Sequence, residues 1–188
     1  IEIRTDGYNH VVPVINGLTA DLYRWMAEEA ERRGDKEASK FKAWHIQLFS
    51  SMNEKLWNDE EGWFDNLYPD GKKGITWGYH LLDLLDKNDL SYYQAHRLVQ
   101  HLIGEFMSPY GMFAVSKADD LHWDQIDTDW GGGGQYNGMT LRIAKNLFER
   151  GYGMQAWEIL KRYSKYTDHF PYFTHNPLSD KMSQDHSS

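Results

Sequence analysis

The chain has 188 residues, with 20 Lys and Arg against 28 Asp and Glu, so its formal net charge is −8. This acidic balance argues against a protein that binds nucleic acid or an anionic membrane through positive charge, and neither is an expected partner. The absence of cysteine excludes disulfides, thiol catalysis and thiolate zinc sites, and the aromatic share of 15% suits both an amphipathic core and a sugar-binding surface.

The first two predicted helices form a hairpin. Apolar residues at helical spacing predict a helix that begins near Asn16 and stops at Gly34. Asp35 can cap a second helix over about residues 36–56. A turn over residues 57–64 follows, and a polar loop continues to residue 74.

Four further helical segments are predicted after that loop. A third apolar stretch covers residues 75–85, and Ser91 caps a fourth helix that runs through Phe106. After a long irregular segment, residues 107–134, two more helices cover about residues 136–149 and 154–165, and residues 167–188 form a loop-like tail. We therefore expect an all-α fold of six helices in three hairpins, with no convincing strand, as a single domain over residues 1–188.

The long irregular segment holds the densest polar and aromatic cluster of the chain. We call residues 122–134 the acidic–aromatic loop, and a connection of this length is usually functional or disordered. Carboxyl groups crowded beside aromatic walls suit acid/base chemistry, because this environment raises the pKa of one of them. The candidate acid and base are Asp127 and Asp129; the alternative is that these groups only bind sugar hydroxyls. The candidate sugar contacts in or beside the loop are Trp123, Asp124, Gln125, Trp130, Gly132, Gln135 and Tyr136.

A second acidic and aromatic cluster follows the second helix. Glu60, Glu61 and Asp65 flank two aromatic residues here. Trp63 and Phe64 are therefore further candidates for sugar contact, and the alternative is a solvated turn at a helix end.

No cofactor is expected, and if a metal ion binds, calcium is the first candidate, with a transition metal ion as the alternative at the set that contains His122. Carboxylate and amide oxygens are suitable calcium ligands, but the chain has neither an EF-hand loop nor a His-Glu-x-x-His motif. The candidate ligand sets are His122 with Asp124, Asp127 and Asp129; Asn58 to Glu61; and Asp65 with Asn66.

Six short landmarks occur in a particular order along the chain. They are Asn16-Gly17-Leu18, Gly34-Asp35, Leu56 to Phe64, Ser108-Pro109-Tyr110-Gly111 with Ser116, Trp130-x-Gly132, and Gly151-Tyr152. In this order they resemble the six-hairpin glycosidases, above all the (α/α)6 toroid of glycoside hydrolase family 63 and its trehalase-like relatives. The likeness is partial at the fifth landmark, because those families continue with Pro-Val-Trp where this chain has further glycines.

The resemblance implies a toroid of which three hairpins are half a ring. An open half-ring would expose apolar faces, so the expected partner is the remainder of the same chain or a subunit that completes the ring, besides a carbohydrate substrate. The resemblance also places the general acid upstream of Asn16 and the general base beyond Lys165. The expected function is a glycoside hydrolase acting on an oligosaccharide or polysaccharide. The alternatives are a sugar epimerase or polysaccharide lyase on the same toroid, or a non-catalytic glycan-binding module.

Overall fold

The computed structural model describes residues 11–86, 89–119, 123, 134–165, 174–176 and 181–182. Helices dominate these residues. The α-helices are α1 (Pro13–Arg33), α2 (Ala38–Leu56), α3 (Tyr92–His101), α4 (Asn137–Glu149) and α5 (Gly153–Ser164), and they are joined by a 3-10 helix (Tyr79–Asp86) and a π-helical segment (Leu102–Phe106). The six predicted helical segments are all present, and the mostly helical partial toroid is confirmed.

Short antiparallel strand pairs close several connections, so the expectation of no strand was wrong. Strands of two or three residues contain no alternating pattern long enough to detect in a sequence. Two of them, β8 and β9, lie within the segment predicted to be a loop-like tail. The pairs are β1 (Trp57–Asn58) with β2 (Trp63–Phe64), β3 (Asn66–Leu67) with β4 (Lys73–Gly74), β5 (Met107–Ser108) with β6 (Gly111–Met112), and a sheet of β7 (Gln135–Tyr136), β8 (Thr174–Asn176) and β9 (Lys181–Met182).

Local signals explain where the main helices begin and end. Pro13 occupies the first turn of α1, where a missing N–H costs no helical hydrogen bond, so the helix starts three residues earlier than predicted. Gly34 ends α1 with φ 68°, a left-handed conformation that favours glycine. Ser91 and Gln94 form a reciprocal capping box at the start of α3. The predicted stop at Gly34 and cap at Ser91 are both confirmed.

The helices form two rows. In the inner row, the 3-10 helix packs on both α1 and α4. In the outer row, α2 packs on α1, α3 packs on the 3-10 helix, and α5 packs on α4. Within the inner row, α1 and the 3-10 helix approach closely where Gly17 of α1 faces the side chain of Leu84. Buried leucines of the 3-10 helix and α3 form the centre of the core, together with Phe106, Ile143 and Ile159. In the described residues, no helix is both long and apolar enough to cross a bilayer.

The first and last hairpins expose apolar side chains. On α1, large apolar residues recur along one face, and Trp25 at the end of this series is 62% exposed. On the last hairpin, Met154 and Trp157 of α5 are 85% and 59% exposed, and Phe148 of α4 is also exposed. The exposed series on α1 is Ile15, Leu18, Leu22 and Trp25.

Candidate functional site

The three helices of the inner row each begin just after a pairing between separate parts of the chain. Before α1, Val11 bridges Leu67 of β3, with N–O distances of 3.0 and 2.9 Å. Before the 3-10 helix, Gly78 bridges Val115. Before α4, β7 pairs with β8. Each helix start is thereby fixed by a segment distant in sequence.

These pairings are connected to one another. Asn66, the neighbour of Leu67 in β3, donates its side-chain amide to the hydroxyl of Thr76 at 2.7 Å. Ala114 donates its N–H to the carbonyl of Gly134 at 2.8 Å, directly ahead of β7. The starts of the three inner helices therefore meet at one end of the rows, which we call the site end.

Both ends of the acidic–aromatic loop attach to the site end. The N–H of Trp123 donates to the carbonyl of Asp119 at 2.9 Å, and the Trp123 ring meets the buried ring of Phe113 edge-on, with centroids 5.0 Å apart. At the other end, Gly134 accepts the hydrogen bond from Ala114. Two adjacent residues, Phe113 and Ala114, thus hold the two ends of the loop next to each other.

Most of the sequence-predicted site residues lie outside the described residues, and for them the prediction stays a prediction. Trp123 lies at the site end and is partly exposed. Gln135 and Tyr136 form β7, opposite His175 and Thr174 of β8. The predicted residues outside the described part are Asp124, Gln125, Asp127, Asp129, Trp130 and Gly132.

Trp63 and Phe64 belong to the core. They are 0% and 1% exposed, so neither ring offers a face on which a sugar could stack. Trp63 stacks on Phe106 with centroids 5.9 Å apart, and its indole N–H donates to the carbonyl of Thr76 at 3.3 Å. The sequence shows the alternation of acidic and aromatic residues in this turn, but not that β1 and β2 fold the aromatic side chains inward.

Only some of the proposed calcium ligands lie within the described residues. There, no group of three or more His, Asp or Glu side chains is placed to hold a metal ion. Asp65, one of the proposed ligands, accepts a hydrogen bond from the Asn58 amide at 3.1 Å and lies 3.7 Å from the Lys73 ammonium. The ligand set that includes Asp124, Asp127 and Asp129 is outside the described part.

A polar cluster at the site end was not predicted as functional. The carboxylate of Glu105 contacts the imidazole of His101 and the hydroxyl of Ser116. His101 and Glu105 are four residues apart, the spacing that places two side chains on one face of a helix, and this is the signal that could have identified the pair. Ser116 is one of the landmarks of the resemblance, although no role was assigned to it.

One histidine at the site end has a strongly changed pKa. His80 is the second residue of the 3-10 helix, and partial burial lowers its pKa from 6.5 to about 4 because surroundings of low polarity disfavour the charged ring. The ring stacks on Tyr79 with centroids 4.0 Å apart. His80 is therefore neutral near pH 7, and it was not among the predicted site residues.

Comparison with known proteins supports the fold rather than a particular activity. No family model matches the sequence, and no curated protein matches it. Solved structures do match. Neutral trehalase Nth1 from Saccharomyces cerevisiae aligns over 86% of this chain and 33% of its own, with 12% identity and a TM-score of 0.73.

A second solved structure is the GH63 mannosylglycerate hydrolase from Thermus thermophilus in complex with glucose. It aligns over 91% of this chain and 43% of its own, with 13% identity and a TM-score of 0.76. The chain therefore spans less than half the length of these enzymes. Over that length, it has the fold of the six-hairpin glycosidases.

Proposed function

We propose that this chain is part of the catalytic toroid of a glycoside hydrolase that acts on an oligosaccharide or polysaccharide by carboxylate acid/base catalysis. One observation carries the proposal. A loop rich in Asp and Trp is attached by both ends, through Trp123 and Gly134, at the point where three inner helices begin. The similarity to a trehalase and a mannosylglycerate hydrolase supports the choice of glycosidic bonds as the target.

In this proposal Asp127 and Asp129 are the acid and base. One carboxyl group protonates the leaving oxygen, and the other activates water or attacks the sugar, depending on the distance between them. Trp130 and Trp123 stack on sugar rings, and Asp124 and Gln125 bind hydroxyls. Glycines such as Gly132 allow the backbone to approach the ligand closely.

A second assignment of the acid and base follows from the resemblance. If both groups belong to other parts of a longer chain, the loop carboxylates bind substrate without transferring a proton. The two assignments differ in kinetics, because removing a proton-transfer group lowers kcat whereas removing a binding group mainly raises KM.

We also propose that further helical hairpins complete the ring. Contiguous apolar surface is uncommon on soluble monomers and marks an interaction site. Here, such surface lies on the first hairpin around Leu22 and Trp25 and on the last hairpin around Met154 and Trp157. The partner is the remainder of the same chain or a second subunit.

The test uses the source protein that contains this chain. Trehalose, mannosylglycerate and a panel of chromogenic glycosides are the first substrates. Asp127→Asn or Asp129→Asn should lower kcat about 100-fold or more if the residue transfers a proton. Trp130→Ala should raise KM about tenfold. Asp70→Asn, in the exposed β3–β4 turn beside Lys72, is the matched control and should leave both constants unchanged.

Unchanged kinetics for Asp127→Asn, Asp129→Asn and Trp130→Ala would remove the loop from the active site. Product analysis separates the alternatives. A hydrolase adds water to the substrate, an epimerase returns a sugar of the same mass, and a lyase leaves an unsaturated product. Glycan binding without any turnover would indicate a binding module.

A further inference from the structure

The polar cluster at the site end is built around the carboxylate of Glu105. One oxygen of the Glu105 carboxylate accepts the hydroxyl proton of Ser116 at 2.6 Å, and the other lies 2.9 Å from Nδ1 of His101. The second ring nitrogen of His101, Nε2, lies 2.8 Å from the carbonyl oxygen of Glu61. A single carboxylate thus connects the turn between β1 and β2 with the segment that follows β6.

From Ser116 the hydrogen bonds continue toward the acidic–aromatic loop. The Ser116 hydroxyl accepts the N–H of Ala118 at 3.0 Å, and its carbonyl accepts the N–H of Asp119 at 3.1 Å. The carbonyl of Asp119 in turn accepts the N–H of Trp123 at 2.9 Å. Hydrogen bonds through Ser116 and Asp119 therefore connect Glu105 with Trp123, near the start of the loop.

The cluster is largely shielded from water, which strengthens its hydrogen bonds. Ser116 is 0% exposed, and the side chains of His101 and Glu105 are 15% and 27% exposed. The His101 ring lies against two indoles, 5.2 Å from Trp63 and 5.0 Å from Trp77 between centroids. Hydrogen bonds to a charged group are about twice as strong as neutral ones, and low polarity around them increases their effect.

Both nitrogens of His101 face oxygen acceptors, a carboxylate and a carbonyl. The Ser116 hydroxyl donates to Glu105 and accepts from the N–H of Ala118, so the carboxylate is the acceptor that completes its hydrogen bonding. The negative charge of Glu105 is thus matched to the donors around it, and a neutral side chain of the same size would not satisfy them equally.

We propose that Glu105 is a positioning residue for the candidate site: through Ser116 it orients the segment 116–119 that leads into the acidic–aromatic loop, and through His101 it holds this segment against the β1–β2 hairpin. The consequence for catalysis rests on the function proposed above. The positioning itself does not, because the hydrogen bonds can be probed without any substrate.

The first experiment measures amide hydrogen exchange in the 188-residue chain. Glu105→Gln keeps the size of the side chain and removes its charge, and Ser116→Ala removes one hydroxyl. Each variant should accelerate exchange at the amides of Ala118, Asp119 and Trp123 at least tenfold, with no change in α4. Combining the two substitutions should add less than a further threefold, since both break the same bond. Glu149→Gln, an exposed carboxyl paired with Lys145, is the matched control and should change nothing at these amides.

The second experiment measures kinetics of the source protein on the glycoside that it cleaves. Glu105→Gln and Ser116→Ala should raise KM about tenfold and change kcat less than threefold, with the thermal midpoint within a few degrees of the wild type. Ser116→Thr, which keeps the hydroxyl, should restore KM.

The outcomes separate the two proposals. Unchanged exchange at Ala118, Asp119 and Trp123 in both variants would overturn the positioning role, whatever the activity. Accelerated exchange in a protein that cleaves no glycoside would support the positioning role and refute the proposed function. Accelerated exchange with unchanged KM and kcat in an active enzyme would show that Glu105 stabilises this segment without affecting the site, which would also overturn the proposal.

Discussion

The lowered pKa of His80 predicts how much the free energy of unfolding changes with pH. The unfolded chain should titrate His80 near 6.5, whereas burial lowers its pKa in the folded protein to about 4. Between these values the unfolded state binds more protons than the folded state, so the free energy of unfolding rises with pH. The contribution of His80 to the free energy of unfolding is therefore fully present above about pH 6.5 and is lost as the pH falls toward 4.

The size of the effect follows from the same two values. A difference of about 2.5 in pKa, at ~1.4 kcal/mol per pKa unit, corresponds to about 3.5 kcal/mol once the pH lies below both values and His80 is protonated in both states. At pH 4.5 most of this loss, about 2 to 3 kcal/mol, should already have occurred. Such a loss is a large part of the stability of a small domain.

The assay is urea denaturation of the wild type and His80→Gln at pH 7.5 and pH 4.5. The other titrating groups act equally on both proteins, so the informative quantity is the change with pH of the difference between them. The wild type should lose about 2 to 3 kcal/mol more than His80→Gln between the two pH values. Parallel pH dependence of the two proteins would refute the reasoning, because it would mean that the folded environment of His80 does not disfavour its charge.

Three further predictions concern the helices, each measured as a change in the free energy of unfolding. Ser91→Ala removes the side-chain half of a capping box and should cost about 1 kcal/mol. An unchanged free energy of unfolding would mean that the cap does not stabilise α3. Gly17→Ala places a methyl group against the buried side chain of Leu84 and should cost about 1 to 3 kcal/mol. Gly104→Ala is its control: the added methyl group meets no neighbour, so the change should be neutral or stabilising by up to ~1 kcal/mol. Leu98→Ala empties part of the core and should cost about 2 to 5 kcal/mol; a cost below 1 would mean that the core centre is elsewhere.

The helices were predictable because their signals are local. A glycine in the left-handed conformation ends α1 at Gly34, and a serine with a glutamine three residues later begins α3 at Ser91. Both signals act within one turn of the chain, so no knowledge of tertiary contacts is needed. The end of α3 was less predictable: the helix was expected to continue to Phe106, and instead its last turn widens into a π-helical segment that carries Glu105.

The contacts that build the site end were not predictable from local signals. Val11 meets Leu67, Gly78 meets Val115, and β7 meets β8, and each pairing joins segments that are tens of residues apart. The strands involved are too short to carry an alternating pattern, so nothing in the sequence indicates their partners. The resemblance to a known family compensates in part, because it implies that the hairpins are arranged around a ring.

Acidic charge alone is a poor guide to the site, and the structure explains why. Many acidic side chains of the described helices pair with basic residues three or four positions away, as Glu29 does with Arg32 and Arg33. Such exposed pairs contribute little to stability and belong to the solvated faces of helices. What distinguishes the acidic–aromatic loop is therefore its place in the fold. Trp123 and Gly134 hold its ends where the inner helices begin, and hydrogen bonds through Ser116 and Asp119 connect the Glu105 carboxylate with Trp123. Position, more than composition, makes this loop the candidate site.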